Sequence, residues 1–412
     1  MRREGKKGQV EAAPVVAAAG ISGKAIAAIV IVIAVVGGVA AGYYFGAFDK
    51  LMSATGGNKE SPPLGAVPNS GNEATPPGAQ ASGAAKFKLT EIKSWDLGGG
   101  ATFAWSPDST KIVTGTFSNG DIQIWDAATG TELKKMKQYD SEHVEHQTTA
   151  YIWGVDWSPD GKKLAVAGNY LVYIWDVQTS TQVSVLNGPA DSGSTTSTTA
   201  VAWNPVNSDR LASATWNRMA VWDVPGNNIL AKISEDGGGD KAFAWSPDGS
   251  MIARGLRSAN IESPDNYEHT LTWNVEILDA STLTLSRKLT ARITFMGEAV
   301  SCLAWSPDGS KLASGNQMGY YPSAIAIWDM STGKVLHELS ADTKRDIGSV
   351  SWSPDGTKLA AVMDDALRVW DTSDWTEIAR LNETEVRTAK WSPDGKKLAM
   401  VRDTTLYVYN AQ

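Results

Sequence analysis

Cysteine is nearly missing from this chain, since Cys302 is the only one among 412 residues. A single cysteine cannot form an intramolecular disulfide, so a disulfide scaffold is excluded. No cysteine lies near the N-terminus, which also excludes a lipoprotein anchor. Cys302 is flanked by apolar residues in the stretch VSCLAW, and we expect a buried, unreactive thiol there.

Signatures of catalysis are missing as well. The chain has no G-x-S-x-G nucleophile motif and no C-x-x-C-H haem site, and the stretch AAAGISGKA lacks the first glycine and the Ser/Thr of a phosphate-binding loop. Acidic residues outnumber basic ones, 45 to 37, and give a net charge of -8, which repels phosphate backbones. We therefore expect a protein that is not an enzyme, needs no cofactor and binds no nucleic acid.

An uncharged apolar run near the N-terminus predicts a transmembrane helix over residues 25–48. As a helix it would be ~36 Å long, which is enough to cross a hydrocarbon core of ~30 Å. Basic residues are concentrated before the run, so the positive-inside rule places residues 1–24 in the cytoplasm and the rest of the chain outside the plasma membrane. The helix would thus be an uncleaved anchor that contacts the membrane.

Two other interpretations of this run remain open. A signal peptidase could release a chain that begins at Gly42, since Val39 and Ala41 satisfy the small-residue rule. A prepilin-like cleavage would instead leave Ile26 first, as in pilin-like surface subunits. Gly38, Gly42 and Gly46 are spaced by four and could let two helices pack closely as a homodimer, although glycine is also simply frequent in membrane helices.

Residues 49–85 are rich in Gly, Pro, Ser, Asn and Ala and contain few bulky apolar side chains. Such a segment cannot bury enough surface to offset chain entropy, so it is predicted to be a disordered linker.

Tryptophan is abundant, with 17 residues, and much of it recurs in one motif. Trp-Ser-Pro-Asp-Gly or a close variant is repeated along the chain, with a divergent copy, WNPVNSD, at Trp203; the other copies begin at Trp105, Trp157, Trp245, Trp305, Trp352 and Trp391. A period of this size is typical of stacked supersecondary units. In each unit an apolar alternating strand precedes the turn, a second strand follows it, and a third strand ends in Trp-Asp or a variant before a weaker fourth strand.

Seven such units predict an all-β, seven-bladed β-propeller over residues 86–411. The Trp-Asp endings at Trp125, Trp175, Trp222, Trp328 and Trp370 resemble the WD-repeat β-propeller family. The Gly-His pair that opens many repeats of that family is missing here. The repeated SPDG turns are also similar to those of prokaryotic TolB-type and surface-layer propellers.

The last unit has only three strands before the sequence stops, whereas the stretch KFKLTEIKSW before the first unit has no blade of its own. Leu89 and Ile92 match the spacing of Leu133 and Met136 in the fourth strand of the first unit. We therefore expect this N-terminal stretch to supply the fourth strand of blade seven and to close the ring, which would remove an open sheet edge.

Alternating turns of a propeller lie on two faces. The SPDG turns and the turns after Trp-Asp share one face, and every long insertion lies on the other, which we call the loop face. Loops carry the binding groups of a rigid scaffold, and exposed aromatic and arginine side chains dominate interfaces. The predicted partner-binding residues on the loop face are His143, His146, Trp153, Trp216, Arg218, Arg257, Tyr267, His269, Tyr320 and Tyr321.

Trp153, Lys241 and Arg387 are predicted to lie nearest the mouth of the central channel. The tryptophans also have a simpler explanation in blade packing. The stretch DSEHVEH, with His143 and His146, has residue types that bind zinc, but a solvated charged loop explains it without a metal, and no metal is expected.

These observations favour a membrane-tethered scaffold that binds other proteins through its loop face, as the resemblance to WD-repeat propellers implies. The alternatives are a propeller of TolB-like or quinone-dependent type that binds a small ligand or a glycan at the channel mouth, and a pilin-like surface subunit.

Overall fold

The computed structural model describes residues 87–138, 151–168, 171–187, 198–215, 218–234, 242–256, 272–292, 299–316, 323–341 and 345–412. The predicted tail, membrane helix and linker over residues 1–85, including Gly38, Gly42 and Gly46, lie outside this part of the chain. Within the described residues, no helix has the length and apolar character needed to cross a membrane.

In the described part of the chain, twenty-eight strands form seven antiparallel four-stranded sheets, as the repeat predicts. The strands of the first three blades are β2 (Ala101–Trp105), β3 (Lys111–Thr116), β4 (Asp121–Asp126) and β5 (Glu132–Lys137); β6 (Gly154–Trp157), β7 (Lys163–Ala167), β8 (Leu171–Asp176) and β9 (Thr181–Asn187); and β10 (Ala200–Asn204), β11 (Asn207–Ala214), β12 (Arg218–Asp223) and β13 (Asn228–Ser234). Blades four and five are β14 (Phe243–Trp245), β15 (Met251–Gly255), β16 (Thr272–Asp279) and β17 (Leu285–Arg292); and β18 (Val300–Trp305), β19 (Lys311–Asn316), β20 (Ala324–Asp329) and β21 (Val335–Ser340). Blade six is β22 (Ser349–Trp352), β23 (Lys358–Met363), β24 (Ala366–Asp371) and β25 (Glu377–Asn382), and blade seven combines β26 (Val386–Trp391), β27 (Lys397–Arg402) and β28 (Thr405–Ala411) with β1 (Leu89–Asp96).

The repeated Ser-Pro-Asp-Gly stretch is a hydrogen-bonded turn between the first and second strands. In blade two, the Gly161 amide donates to the Ser158 carbonyl at 2.8 Å, and the Ser158 hydroxyl donates to Asp160 Oδ1 at 2.6 Å. Gly161 has a φ of +70°, a conformation that glycine adopts without steric penalty. This combination of residues therefore favours the turn, which explains why it recurs, although blade one forms the same turn with Ser109 at a φ of +60° in place of glycine.

The aspartate closes the next turn after four of the five Trp-Asp endings, namely at Asp126, Asp176, Asp329 and Asp371. Asp329 Oδ1 accepts hydrogen bonds from the Ser331 and Thr332 amides, both at 2.8 Å. Blade four has Leu278 at the position of this tryptophan, yet Asp279 Oδ1 still accepts from the Ser281 and Thr282 amides at 3.0 Å. The turn depends on the aspartate, so the loss of tryptophan leaves it intact.

The core lies between neighbouring sheets. Trp328 is fully buried, and its indole N–H donates to Ser314 Oγ at 2.8 Å; Trp222 and Ser213 repeat the arrangement at 2.8 Å. Several tryptophans at the end of the first strand also bond to the preceding blade, as when Trp305 Nε1 donates to the Ala244 carbonyl at 3.1 Å. These bonds join the blades into a ring.

Closure by the N-terminal strand is confirmed, because β1 pairs antiparallel with β28 and completes blade seven. The alignment predicted for this strand was wrong by three residues. Each strand has a bulge after the residue that pairs with Tyr409 or Trp125, and Ile92 and Leu133 are the equivalent bulged residues. Trp95, and not Ile92, then corresponds to Met136, and it packs against Trp125 of blade one with ring centroids 5.7 Å apart.

Candidate functional site

Most of the predicted partner-binding residues lie outside the described part of the chain, namely His143, His146, Trp216, Arg257, Tyr267, His269, Tyr320 and Tyr321. Lys241, predicted at the channel mouth, also lies outside it. Trp153, Arg218 and Arg387 are described. Arg218 begins β12, where its carbonyl accepts the Thr215 amide at 2.8 Å in a tight turn of blade three. Trp153 and Arg387 flank blade one, and the structure brings their surroundings together.

Three aromatic rings stack on the loop face between blades one and two. The Trp153 centroid is 5.8 Å from that of Phe117 and 6.2 Å from that of Tyr151, with an interplanar angle of 28° in both pairs. Trp153 keeps 41% of its surface exposed and Tyr151 keeps 51%. We call Phe117, Tyr151 and Trp153 the aromatic stack.

Backbone hydrogen bonds fix this stack in place. Phe117 follows β3, and its amide donates to the Gly100 carbonyl at 2.9 Å. The Trp153 amide donates to the Ala167 carbonyl at 2.9 Å, which extends β6 towards the loop face. Ile152, between the two exposed rings, is fully buried in the core. The rings are therefore presented by rigid elements, which favours binding.

Arg387 lies beside the stack at the start of β26, with an exposed side chain. A Cβ atom added at Gly100 would be 3.2 Å from the Phe117 ring and 3.9 Å from Arg387 Nη1. The ring and the guanidinium therefore approach within about 8 Å of each other, across a connector that has no side chain at Gly99 or Gly100. Trp153 and Arg387, both predicted from the sequence to lie near the channel mouth, are thus on either side of Phe117 or close to it.

The first strands of the seven sheets contact one another in sequence around the axis and line the central channel. The residue just before each first-strand tryptophan is small and uncharged in five blades: Ala104, Ala202, Ala244, Ala304 and Ser351. The other two blades have Asp156 and Lys390. Lys390 Nζ donates to the Phe103 carbonyl at 3.2 Å, and Asp156 Oδ2 accepts the Trp203 amide at 2.8 Å.

These two charges perturb each other's titration. Asp156 is half-buried and the Lys390 side chain keeps exposed surface, and both lie within the ring of first strands. Burial raises the pKa of Asp156 to about 6, despite the hydrogen bond from Trp203 and the attraction of Lys390. Burial also lowers the pKa of Lys390, and the Asp156 carboxylate opposes that change. The channel therefore contains one isolated pair of opposite charges within its described lining.

A metal site is not formed by the described residues, which contain no group of three His, Cys, Asp or Glu side chains placed to hold an ion. The histidine-rich loop with His143 and His146 lies outside them. Cys302 is half-buried, with its sulfur 3.7 Å from the Ile347 carbonyl, and burial raises the pKa of its thiol to about 12. The thiol is therefore protonated at neutral pH and a poor nucleophile.

The sequence prediction missed Phe117, Tyr151, Asp156 and Lys390. Asp156 and Lys390 could have been found by aligning the position before each repeat tryptophan, where charge is exceptional. Tyr151 could have been found with Trp153, because both are aromatic residues in the same connector before the first strand of blade two. Phe117 follows an ordinary strand, and no feature of its local sequence distinguishes it.

Comparisons with known proteins agree with the fold. Residues 101–126 and 138–176 match the model of the WD domain, G-beta repeat, and residues 280–407 match that of eukaryotic translation initiation factor eIF2A. A B-type cell cycle switch protein, ccs52A, of Medicago truncatula is 26% identical over 268 residues, which are 65% of this chain and 49% of that protein. Cell division cycle 20.1, a cofactor of APC complex, from Arabidopsis thaliana is 26% identical over 56% of this chain and 44% of that protein.

The chain thus spans about half the length of these two cell-cycle relatives. A chain in the crystal structure of the mitotic checkpoint complex superposes with a TM-score of 0.63 and 21% identity, over 84% of this chain and 98% of that one, a likeness that concerns the fold alone. The repeat matches and the seven-bladed architecture together support the WD-repeat propeller family for this chain.

Proposed function

We propose that this propeller is a non-enzymatic scaffold that binds other proteins through its loop face. The observation that carries the proposal is the aromatic stack, in which Tyr151 and Trp153 are half exposed on a rigid support. Aromatic side chains of this kind supply most of the binding energy in protein interfaces. A relative described as a cofactor of a complex, and a structural neighbour found in a checkpoint complex, are consistent with this role.

The test is affinity purification of the full chain from its native cells, followed by direct binding with the purified partner. Tyr151→Ala and Trp153→Ala should each lose a partner that the wild type retains. Val206→Ala is the matched control, because Val206 is 65% exposed on the opposite face. Equal recovery of every protein by all variants would count against this surface as the scaffold.

The propeller is further proposed to be tethered outside the plasma membrane of a prokaryotic cell by residues 25–48, with the N-terminus in the cytoplasm. The apolar run and the basic residues before it support the proposal. Intact mass of the native protein tests it. A chain that retains residues 1–48 and resists alkaline extraction fits the anchor. A chain beginning at Gly42 indicates a released protein, and one beginning at Ile26 a pilin-like subunit.

Crosslinking of a Gly42→Leu variant tests dimer formation through the glycine-spaced face.

A second candidate function is binding of a small ligand in the channel, favoured by the isolated charges of Asp156 and Lys390. Native mass spectrometry of the purified protein should then detect a bound molecule that is lost on Lys390→Met. Retention of the same mass in both proteins would leave these charges with a purely structural role.

A further inference from the structure

Exposed apolar side chains are distributed unevenly over the described residues. Seven of the nine large ones are aliphatic and lie in the outermost strands or in a hairpin on the face opposite the loops: Leu133, Val183, Val206, Ile229, Leu230, Leu285 and Leu336. The remaining two are the aromatic Tyr151 and Trp153, and they are adjacent. Folding gives no reason to place two large rings together in solvent, so this patch is suited to contact with another molecule.

Arg387 is unusual among the described arginines. Most of the others are paired with carboxylates, as Arg254 is with Glu276 at 2.6 Å and Arg345 is with Asp365 at 2.7 Å. Within the described residues, Arg387 forms no ion pair and no side-chain hydrogen bond. A guanidinium can bind a carboxylate through two parallel hydrogen bonds, and Arg387 is available for one.

The separation between Arg387 and the stack constrains what could bind both. The guanidinium and the Phe117 ring are within about 8 Å of each other. In an extended peptide, side chains two residues apart lie on the same face, ~6.6 Å from each other. An apolar residue and an acidic residue at that spacing can therefore reach the rings and the guanidinium together.

We propose that the aromatic stack and Arg387 form a docking site for an extended acidic peptide segment, in which a proline or aromatic side chain lies on the rings and an Asp or Glu two residues away pairs with Arg387. This inference rests on the proposed scaffold function and specifies its partner. Flat apolar side chains suit aromatic surfaces. A neutral glycan would leave the guanidinium without an anionic partner. A nucleic acid would bring many phosphates to a chain with a net charge of -8, whereas the peptide has to place only one carboxylate, at Arg387.

The experiment is selection of a random 12-residue peptide display library on the immobilised full chain, followed by titration with labelled synthetic peptides. The selected peptides should be enriched in a proline or aromatic residue two positions from Asp or Glu. Arg387→Glu should weaken their binding by at least about tenfold, and exchanging the acidic residue of the peptide for lysine should restore much of the affinity to this variant. Tyr151→Ala should weaken binding by a similar factor. This variant tests the contribution of the aromatic stack even if Trp153→Ala impairs folding.

Arg210→Glu is the matched control for charge, because Arg210 lies on β11 of blade three, away from the stack, and should leave binding unchanged. Peptides without the acidic residue at this spacing, or binding that Arg387→Glu does not alter, would overturn the inference. Binding of neutral glycans that depends on Trp153, with no peptide selected, would also overturn it. If Trp153→Ala loses the native partner while no acidic peptide competes with that partner, the scaffold function stands and the partner chemistry proposed for it is wrong.

Discussion

The residue before each repeat tryptophan shows how one position can serve different roles in the same ring. Where this residue is Ala202, Ala244 or Ala304, the indole of the next blade donates to its carbonyl. Where this residue is Asp156 or Ser351, its side chain instead accepts a hydrogen bond from the backbone amide of the first-strand tryptophan in the next blade. The indole nitrogens of the following tryptophans, Trp203 and Trp391, are then buried without a hydrogen-bond partner. At Asp156 and Ser351 the accepting side chain therefore exchanges one contact between blades for another, whereas the carbonyl of Lys390 still accepts the Trp105 indole at 3.1 Å.

Asp156→Asn tests the contribution of this exchange to stability. Since the pKa of Asp156 is about 6 in the folded protein and the ordinary pKa of aspartate is 3.8, the folded protein holds an extra proton between these two pH values. The wild-type free energy of unfolding should therefore fall as pH rises from about 4 to about 6. The variant keeps an acceptor for the Trp203 amide without this charge. The free energy of unfolding of the variant should exceed that of the wild type by about 1–2 kcal/mol at pH 7. This difference is smaller than the full pKa shift of Asp156 would give, because channel water screens the charge.

Urea unfolding of both proteins at several pH values between 4 and 7.5 measures this difference. The gain should vanish near pH 4, where the wild-type carboxyl group is protonated. Asp209→Asn, in the β11 strand, is the control for a general effect of removing one charge. A stability difference that does not change with pH would contradict the role of Asp156 burial.

At the scale of the strand, regular elements could be predicted from sequence because each hairpin ends in residues with a specific hydrogen-bonding role. Ser158, Asp160 and Gly161 fix one turn, and the aspartate after the third strand fixes the next. The fourth strand lacks such residues, and its bulge shifts the alternation of buried side chains by one position. This explains why the pairing of β1 with blade seven could be predicted but its alignment, through Ile92 and Trp95, could not.

Deletion of Leu89–Asp96 tests how much the ring depends on closure by β1. The deletion would expose the edge of β28 and remove Trp95 from its contact with Trp125. Open sheet edges promote association, so we expect the variant to aggregate and to unfold less cooperatively than the wild type. Light scattering after size-exclusion chromatography and urea unfolding measure the two effects.

A synthetic peptide covering residues 86–96 provides the control for this deletion. Added to the truncated chain, it should pair with β28 and restore a monomer with a cooperative transition. A peptide with Lys93→Pro, which disrupts strand pairing, should not. A truncated chain that stays monomeric and unfolds like the wild type would show that closure contributes little.

At the scale of the whole molecule, part of the candidate site followed from the ring itself. The repeat places Trp153 and Arg387 at equivalent positions of their blades, four residues before Trp157 and Trp391, so both could be assigned to the channel mouth. The stack with Phe117 arises from contact between separate blades, and the periodic pattern contains no information about such contacts. Long insertions have no period at all, so the sequence could place them on one face but not position their side chains.

The repeated turns also share one electrostatic feature, a lowered pKa of their aspartates. Burial opposes the change at several sites, but hydrogen bonds from neighbouring hydroxyl and amide groups lower the pKa of the turn aspartates, namely Asp108, Asp126, Asp160, Asp176, Asp248, Asp279, Asp308, Asp329, Asp355, Asp371 and Asp394. For Asp308, the hydroxyl of Ser306 is the main cause, and the pKa is about 2.

These repeated carboxylates predict steep acid unfolding of the propeller. A carboxylate with a lowered folded pKa stabilises the fold above its unfolded pKa near 4 and loses that contribution as pH falls towards 2. Because the effect is repeated in six of the seven blades, all except blade three, unfolding between pH 4 and 2 should take up several protons, and each proton steepens the fall of the unfolding free energy with decreasing pH. Urea unfolding across this range measures the slope.

Asp308→Asn should reduce the proton uptake on unfolding by less than one proton, since ten similar aspartates remain. This small effect would distinguish a distributed origin from a single critical group. A wild-type slope of one proton or fewer would contradict the distributed origin. The slope should also be opposite in sign to the one that Asp156 produces above pH 4, so we expect the free energy of unfolding to be greatest near pH 4.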